Sequence, residues 1–469
     1  MRDSKRYRYL VANHIDKILF LWLFCIASLL VACAKPTLLA GPSVGDHQPT
    51  TVNSNTTPHT TSTAPQTKIT VWLDATRMEG AKIYQKLFPN KASLIDFQIV
   101  DRSQFPAEIL GFNQQGSGWP DVVFAEPELV AQTIDSQHDY PLDLKPVLSA
   151  NLLGNFESHA NDACTFGSRL FCLRHDTAPM VLYFNKPLME EFGYRVPATW
   201  QEYQALGERV GSEHPGYIIG SFGDAWGFKA YFDASGCPSS WMLNEKNVQI
   251  NFADARCVRA AKMVDALLAN ETLAPYGYFD SQFNQIAQTD KLLMVVAPSW
   301  MALASFGGQP DSQYYNAADH QLGVAAPLRW DGDARLMTSA MGGGAWVVSR
   351  HTENLPLAVD FITWMVSAPE FWDISPDYPV YMPVQPAWEK TVSANPLFAN
   401  DPFPIMQAAS QAISPLYALP NYDVMGVLND FVGRVMRQQK TIESILPDLQ
   451  AAMAAQAQAA GYEVTIDTK

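Results

Sequence analysis

Beyond about residue 67, short apolar runs alternate with segments of helical periodicity, and this pattern constrains the fold more than any other feature. Lys68-Ile69-Thr70-Val71-Trp72 alternates polar and apolar side chains before Asp74, the period of a strand with one face covered. A helical stretch around Ala81 to Phe88 follows, then a second strand from Phe97 to Val100. Pro120-Asp121-Val122-Val123-Phe124 is a short continuous apolar run, as expected where both faces of a parallel sheet are covered. Strands alternating with helices in this order define an α/β protein.

The same grammar resumes near Pro179. Met180-Val181-Leu182-Tyr183-Phe184 reads as a strand, ending in Asn185-Lys186-Pro187. Thr199 with Glu202 three residues later forms a capping box, and Tyr203, Leu206 and Val210 share one face of the helix it starts. Leu292 to Ala297 and Leu322 to Ala326 are further short apolar runs, each closed by a proline. Ala358, Phe361, Ile362 and Met365 repeat at i, i+3, i+4 and i+7, an amphipathic helix. The alanine-rich segment Ile442 to Ala460 is also helical, and Pro447 predicts that its long part begins at that proline rather than running through it.

Ahead of this body the chain reads as an address and a tether. Arg2, Lys5, Arg6, Arg8 and Lys17 flank an apolar run from Ile18 to Leu30, shorter than the roughly 20 residues that span a bilayer. A basic flank, a short apolar core and small residues form a secretory signal. Its end, Leu30-Val31-Ala32-Cys33, resembles the bacterial lipoprotein signal, which implies cleavage after residue 32 and lipidation of Cys33. Residues 33–67 are rich in Thr, Ser and Pro and bury too little to offset their ordering entropy, so a flexible tether is expected. The remaining ~400 residues suit two domains, because single cores seldom grow past about 250–300 residues.

Charge and cysteine usage narrow the function. The formal charge is −15; residues before Cys33 carry five basic and two acidic side chains, so their removal leaves about −18. That balance argues against a nucleic-acid partner, which requires basic patches. Four cysteines remain in the body, Cys164, Cys172, Cys237 and Cys257. Outside the cytoplasm an even count implies disulfides, and four cysteines allow three connectivities. Nearest-neighbour pairing, Cys164 with Cys172 and Cys237 with Cys257, is the expectation. A zinc site is the alternative, but no CxxC pair or histidine at ligand spacing occurs, so no metal and no cofactor are expected.

No enzyme motif stands in a structural context that would make it work. Gly41-Pro42-Ser43-Val44-Gly45 matches G-x-S-x-G, but it falls in the tether and not on a strand-to-helix turn, so no catalytic residue is assigned. Gly342-Gly343-Gly344 lacks the lysine of a phosphate loop. The chain does carry twelve tryptophans and eighteen tyrosines. Aromatic faces beside polar groups suit sugar rings, although most tryptophans serve as core.

The order of segments resembles the extracellular solute-binding proteins of ABC importers, in the sugar-binding branch. Pro120 to Phe124 with Glu126 resembles the family's strand and following loop. Arg174-His175-Asp176-Thr177 with Val181 to Lys186 resembles its crossover strand. Val196-Pro197-Ala198-Thr199-Trp200-Gln201-Glu202 matches its helix start, Leu292 to Trp300 its strand ending in a tryptophan, and Met341 to Val348 its glycine-rich return. The resemblance implies two α/β lobes around a hinged cleft, 68–178 plus 328–376 and 179–327 plus 377–469. It implies a monomeric, lipid-anchored extracytoplasmic receptor that captures a small solute, a sugar or oligosaccharide, for a membrane permease. A receptor for a polyamine or peptide, or a secreted carbohydrate-active enzyme with paired carboxylates, are the alternatives.

Ligand contacts follow from strand ends and from that resemblance. Asp74, Glu126 and Asp176 are the carboxylates placed to hold hydroxyl pairs. Trp226, Trp300, Trp346 and Tyr381 are the aromatic candidates, and Gly343 and Gly344 would let backbone approach the ligand.

Overall fold

The computed structural model describes residues 67–306, 317–414, 419–438 and 440–466. The signal at 1–32, Cys33, nearly all of the tether and the Ser43 motif lie outside the described residues. Among the described residues no helix is long and apolar enough to cross a membrane.

Two sheets organise the body. The first has five strands in the order Ile95–Ile99, Ile69–Leu73, Val122–Ala125, Ala345–Val348 and Leu173–Arg174. Its first three strands are parallel, with Ile69 opposite Ile95 and Val71 opposite Val122. The strand Ala345–Val348 runs antiparallel to both of its neighbours. The second sheet places Met180–Asn185 between Met294–Pro298 and Leu322–Ala325, antiparallel to each. Every residue of Val122–Ala125, Ala345–Val348 and Met294–Pro298 is buried, which is why these strands read as unbroken apolar runs. Connecting segments near residues 175–179 and 326–344 join the sheets, braced by bridges from Asp176 to Pro379 and from Pro179 to Ala340.

Several helices begin where a side chain satisfies their free N–H groups. Thr199 and Glu202 make both bonds of the expected capping box at the helix Trp200–Glu213, burying Tyr203, Leu206 and Val210. Asn354 caps Leu355–Ser367, which buries Ala358, Phe361, Ile362 and Met365. The first helix starts earlier than its periodicity suggested, at Ala75, because the Asp74 carboxylate accepts from the Arg77 N–H at 2.8 Å. Gly80 inside it removes bulk at a close contact, since a Cβ there would lie 2.7 Å from Phe371 Cδ2.

The C-terminal helix corrects one expectation. It spans Ile442–Ala459 and passes through Pro447. Its first turn is held from outside: the Asp265 carboxylate accepts from the N–H groups of Ile442 and Glu443, and Thr441 caps Ser444. Ile442, Ile445 and Leu446 are buried in the core. These contacts fix the helix start and offset the bond that proline cannot donate.

Disulfides join Cys164 to Cys172 and Cys237 to Cys257, the nearest-neighbour pairing. The first closes the hairpin of Thr165–Phe166 and Arg169–Leu170. The second ties the start of the helix Ala255–Ala269 to the segment before the strand Trp241–Met242.

Candidate functional site

A cleft of about 430 Å³ opens between elements carried by the two sheets. On the first-sheet side stand Arg102, Glu126, Glu128 and Arg174; opposite them are Trp226, Lys229, Asp233, Trp241 and Tyr422. Glu126 directly follows the strand Val122–Ala125 and precedes the short helix Pro127–Ala131, where ligands settle in open α/β sheets. Trp226, Lys229 and Asp233 fall at i, i+3 and i+7, on one face of the helix Ala225–Phe232 and the residue after it. Asp224 caps that helix through the Gly227 N–H at 2.7 Å, and Asn429 accepts from the Ala225 N–H at 2.8 Å. This bracing fixes the orientation in which Trp226 meets the cleft.

The polar wall is a network of paired charges. Arg102 reaches Asp74 at 3.2 Å and Glu126 at 3.0 Å. Arg77, buried behind it, pairs with Asp74, Asp176 and Asp377 at 3.3, 3.3 and 2.9 Å. The Phe124 ring packs against both guanidinium groups, at 4.1 Å from Arg77 and 5.3 Å from Arg102, a cation–π arrangement that keeps the two arginines in place. Lys229 pairs with Asp233 at 2.8 Å, and Asp233 also accepts from the Ser339 hydroxyl.

Two groups on the wall are less well matched. Arg174 is 6 % exposed and its Nε finds no hydrogen-bond partner among the described residues; burial pulls its guanidinium below the usual range against the attraction of Asp176, Glu128 and Glu126. Burial pushes the Glu128 carboxyl up, with Lys229 opposing. A fork of donors and a carboxyl facing one cavity can hold paired hydroxyls. Among the described residues no group of three His, Cys, Asp or Glu side chains could hold a metal ion.

The sequence-derived residues fall in different places. Glu126 and Trp226 line the cleft. Asp74 sits one ion pair behind it, bonded to Arg77 and Arg102. Asp176 is 1 % exposed, accepting from the Gly344 N–H at 2.8 Å. Trp300 is half-buried, donates to the Met341 carbonyl at 2.9 Å and stacks on Phe279 with ring centres 6.1 Å apart. Its Nε1 lies 3.8 Å from where a Cβ on Gly342 would stand, and Gly342 is the member of the glycine run that lines the cavity. Gly343, at φ +84°, makes room for Arg174, and a side chain on Gly344 would overlap the Phe124 ring. Trp346 is fully buried against Phe124 and Phe361 and donates to His175 Nδ1 at 3.3 Å. Tyr381 is buried against Phe156. The structure therefore brings together Glu126 and Trp226, and leaves Asp176, Trp346 and Tyr381 behind the wall.

Sequence reasoning passed over Arg102, Glu128, Arg174, Lys229, Asp233, Trp241 and Tyr422. Two signals were present. Arg174 lies in the crossover motif beside the chosen Asp176, and Lys229 and Asp233 follow Trp226 at helical spacing.

Two sheets linked by several crossings, with a polar and aromatic cleft between them, define a two-lobed receptor of the periplasmic-binding-protein type. The chain belongs to the bacterial extracellular solute-binding proteins, whose family model matches residues 96–370. Its fold is shared with an ABC transporter-associated binding protein of B. animalis subsp. lactis Bl-04, solved with β-1,6-galactobiose: TM-score 0.70, 18% identity, covering 85% of this chain and 100% of the other. It is shared with the galacto-N-biose/lacto-N-biose I-binding protein of the Bifidobacterium longum ABC transporter, solved with lacto-N-biose: TM-score 0.70, 16% identity, 85% and 99%. The GacH receptor of Streptomyces glaucescens, solved unliganded and with acarbose, matches at TM-score 0.67 and 18% identity over 85% and 100%. At these identities the likeness speaks for the fold.

Proposed function

We propose that this protein captures a sugar or oligosaccharide outside the cytoplasm and delivers it to the permease of an ABC importer. The observation that carries this reading is the wall of the cleft, where Trp226, Trp241 and Tyr422 stand beside Arg102, Glu126, Glu128, Arg174, Lys229 and Asp233. Aromatic faces take the C–H patches of a sugar ring, while guanidinium and carboxylate groups hold hydroxyl pairs from its edge. The neighbours of the same fold bound to β-1,6-galactobiose, lacto-N-biose and acarbose support it. The stacking aromatics on the wall favour a sugar over a polyamine.

The lobes of this reading are 68–178 plus 328–376 and 179–327 plus 377–469, and closure of the hinge between them buries the solute. The protein works as a monomer, anchored by lipid at Cys33. It releases its ligand unchanged.

A thermal-shift screen of mono- and oligosaccharides tests this. A sugar at 100 times its dissociation constant adds about 2.7 kcal/mol to the unfolding free energy. The proposal fails if amines or peptides shift the melt while sugars do not, and recovery of cleaved oligosaccharide from the mixture would refute release without turnover.

A further inference from the structure

Four ion pairs run without a gap from the cleft wall to the place where the connecting segments meet. Glu126, which lines the cleft, pairs with Arg102 at 3.0 Å, and Arg102 also holds Asp74 at 3.2 Å. Asp74 meets Arg77 at 3.3 Å, and Arg77 reaches Asp377 at 2.9 Å. The Glu126 side chain is 22% exposed, whereas Asp377 is 4% exposed. A change at the cleft end is therefore passed inward to groups that solvent and salt screen far less.

Arg77 is the point of convergence. Asp176 on the segment 175–179 and Asp377 on the segment 375–379 both pair with its guanidinium, Asp176 at 3.3 Å. The two segments bridge each other at Asp176 and Pro379, and Gly344 on the remaining segment donates its N–H to Asp176 at 2.8 Å. Charged and titratable groups face Asp377 from each side: Arg77 from the helix Ala75–Leu87, Asp74 from the end of the strand Ile69–Leu73, and Asp176 from the crossing. The Ser375 hydroxyl donates to it at 3.3 Å, and Glu157 engages the next residue, Tyr378. His175, beside Asp176, is kept neutral by burial, with Arg77 and Arg174 adding to the effect. One guanidinium thus serves three carboxylates, and the share left to Asp377 depends on how far Arg102 satisfies Asp74.

We infer that this relay couples the cleft to the connecting segments: a solute seated on Glu126 drives a proton off Asp377, with Arg77 as the positioning residue through which the coupling passes. The inference rests on the reading of the cleft as a solute site and adds a regulation to it. Sugar hydroxyls that donate to Glu126 compete for the oxygens Arg102 now holds. Arg102 then turns to Asp74, Asp74 gives up part of Arg77, and the guanidinium stabilises the Asp377 carboxylate more fully. The proton passes to buffer. Closure adds little desolvation to a group already buried, so it does not reverse the sign. By linkage, affinity for the solute rises with pH through the range in which Asp377 titrates, about 7. Ionised Asp377 in turn grips Arg77 more strongly and ties the segments 175–179 and 375–379 together in the liganded state.

Two measurements on the full chain test this, the first without a solute. In protein labelled with carbon-13 at its aspartate carboxyls, the resonance absent from Asp377→Asn identifies Asp377. Its titration midpoint should fall by about half a pH unit in Glu126→Gln, where Arg102 is free for Asp74. An unchanged or raised midpoint overturns the coupling. In the second, β-1,6-galactobiose, lacto-N-biose and maltotriose are titrated calorimetrically at pH 7 in buffers of different ionisation enthalpy. Each sugar that binds should release about 0.3 proton, and its affinity should rise about threefold more between pH 6 and pH 8 than it does in Asp377→Asn. Absence of proton release from the wild type, proton uptake in its place, or a release that persists in Asp377→Asn overturns the inference and leaves the sugar reading intact. If Asp377→Asn does not fold, the wild-type proton count and the shift of the aspartate titrating near neutrality decide it. If none of the three sugars binds, the sugar reading loses its support, while the solute-free midpoint still decides the coupling.

Discussion

One buried guanidinium facing three carboxylates makes stability depend on pH in a direction opposite to most ion pairs. Arg77 meets Asp74, Asp176 and Asp377, and Asp74 has a second cation in Arg102. A single charge cannot neutralise the remaining two. The excess falls on Asp377, where burial prevails over the attraction of Arg77, and repulsion from Asp176 and Asp74 adds to it, raising the carboxyl from its ordinary 3.8 to about 7. Burial likewise raises Asp176, against the pull of Arg77 and Arg174.

Because the folded state holds this proton more tightly than the unfolded chain does, the stabilisation is complete below about pH 4 and is lost as pH rises through about 7. For a carboxyl moving from 3.8 to about 7, linkage gives about 2.7 kcal/mol at pH 5 and close to zero at pH 8. Asp377→Asn keeps an oxygen for Arg77 and for the Ser375 hydroxyl, and has no proton to lose. Urea unfolding of both proteins at pH 5 and pH 8, followed by tryptophan fluorescence, measures the difference directly. The wild type should lose about 2–3 kcal/mol more than the variant across that interval. The comparison cancels the titrating groups that Asp377 does not influence, His175 and His351 among them. Parallel curves for the two proteins would show that Asp377 stays ionised beside Arg77, and the charge count would be wrong.

Trp226→Ala should weaken sugar binding by about 10- to 100-fold while moving the melt of the unliganded protein little, because the ring is a half-buried cleft residue on a well-capped helix; calorimetric titration and a melt in buffer check both halves. Replacing Cys237 and Cys257 together by Ala should cost about 3 kcal/mol, since the bridge closes a loop with a sequence separation of 20. Denaturant midpoints with and without reductant read it, and the variant should be insensitive to reductant at this site.

The parts of the fold that could be read in the sequence are those where one local rule acts alone. Val122 to Phe124 and Met294 to Ala297 are unbroken apolar runs because their sheets are covered on both faces. Thr199 and Glu202 mark a helix start whose bonds are all local. Boundaries failed where a distant group decided them. Nothing near Pro447 in sequence reveals that Asp265 anchors the turn ahead of it; the first helix, by contrast, was read short although its start is set by a local bond, from the Arg77 N–H to Asp74.

The cleft was less legible because it is assembled across more than three hundred residues, from Arg102 to Asn429, by polar side chains that, Lys229 and Asp233 apart, follow no periodicity. Strand ends gave Glu126, but the same rule misplaced weight on Trp346. Ala345–Val348 is buried along its whole length, so a tryptophan there has no solvent face to offer a ligand. Asp74 and Asp176 have the right chemistry and the right neighbourhood, yet Arg77 and Arg102 already claim their oxygens. What distinguishes Arg174 and Glu128 is that their nearest opposite charges are committed elsewhere: Asp176 to Arg77, Lys229 to Asp233, Glu126 to Arg102. A site can be recognised as the place where such pairing is left incomplete. That property belongs to the folded neighbourhood and is carried by no single stretch of sequence.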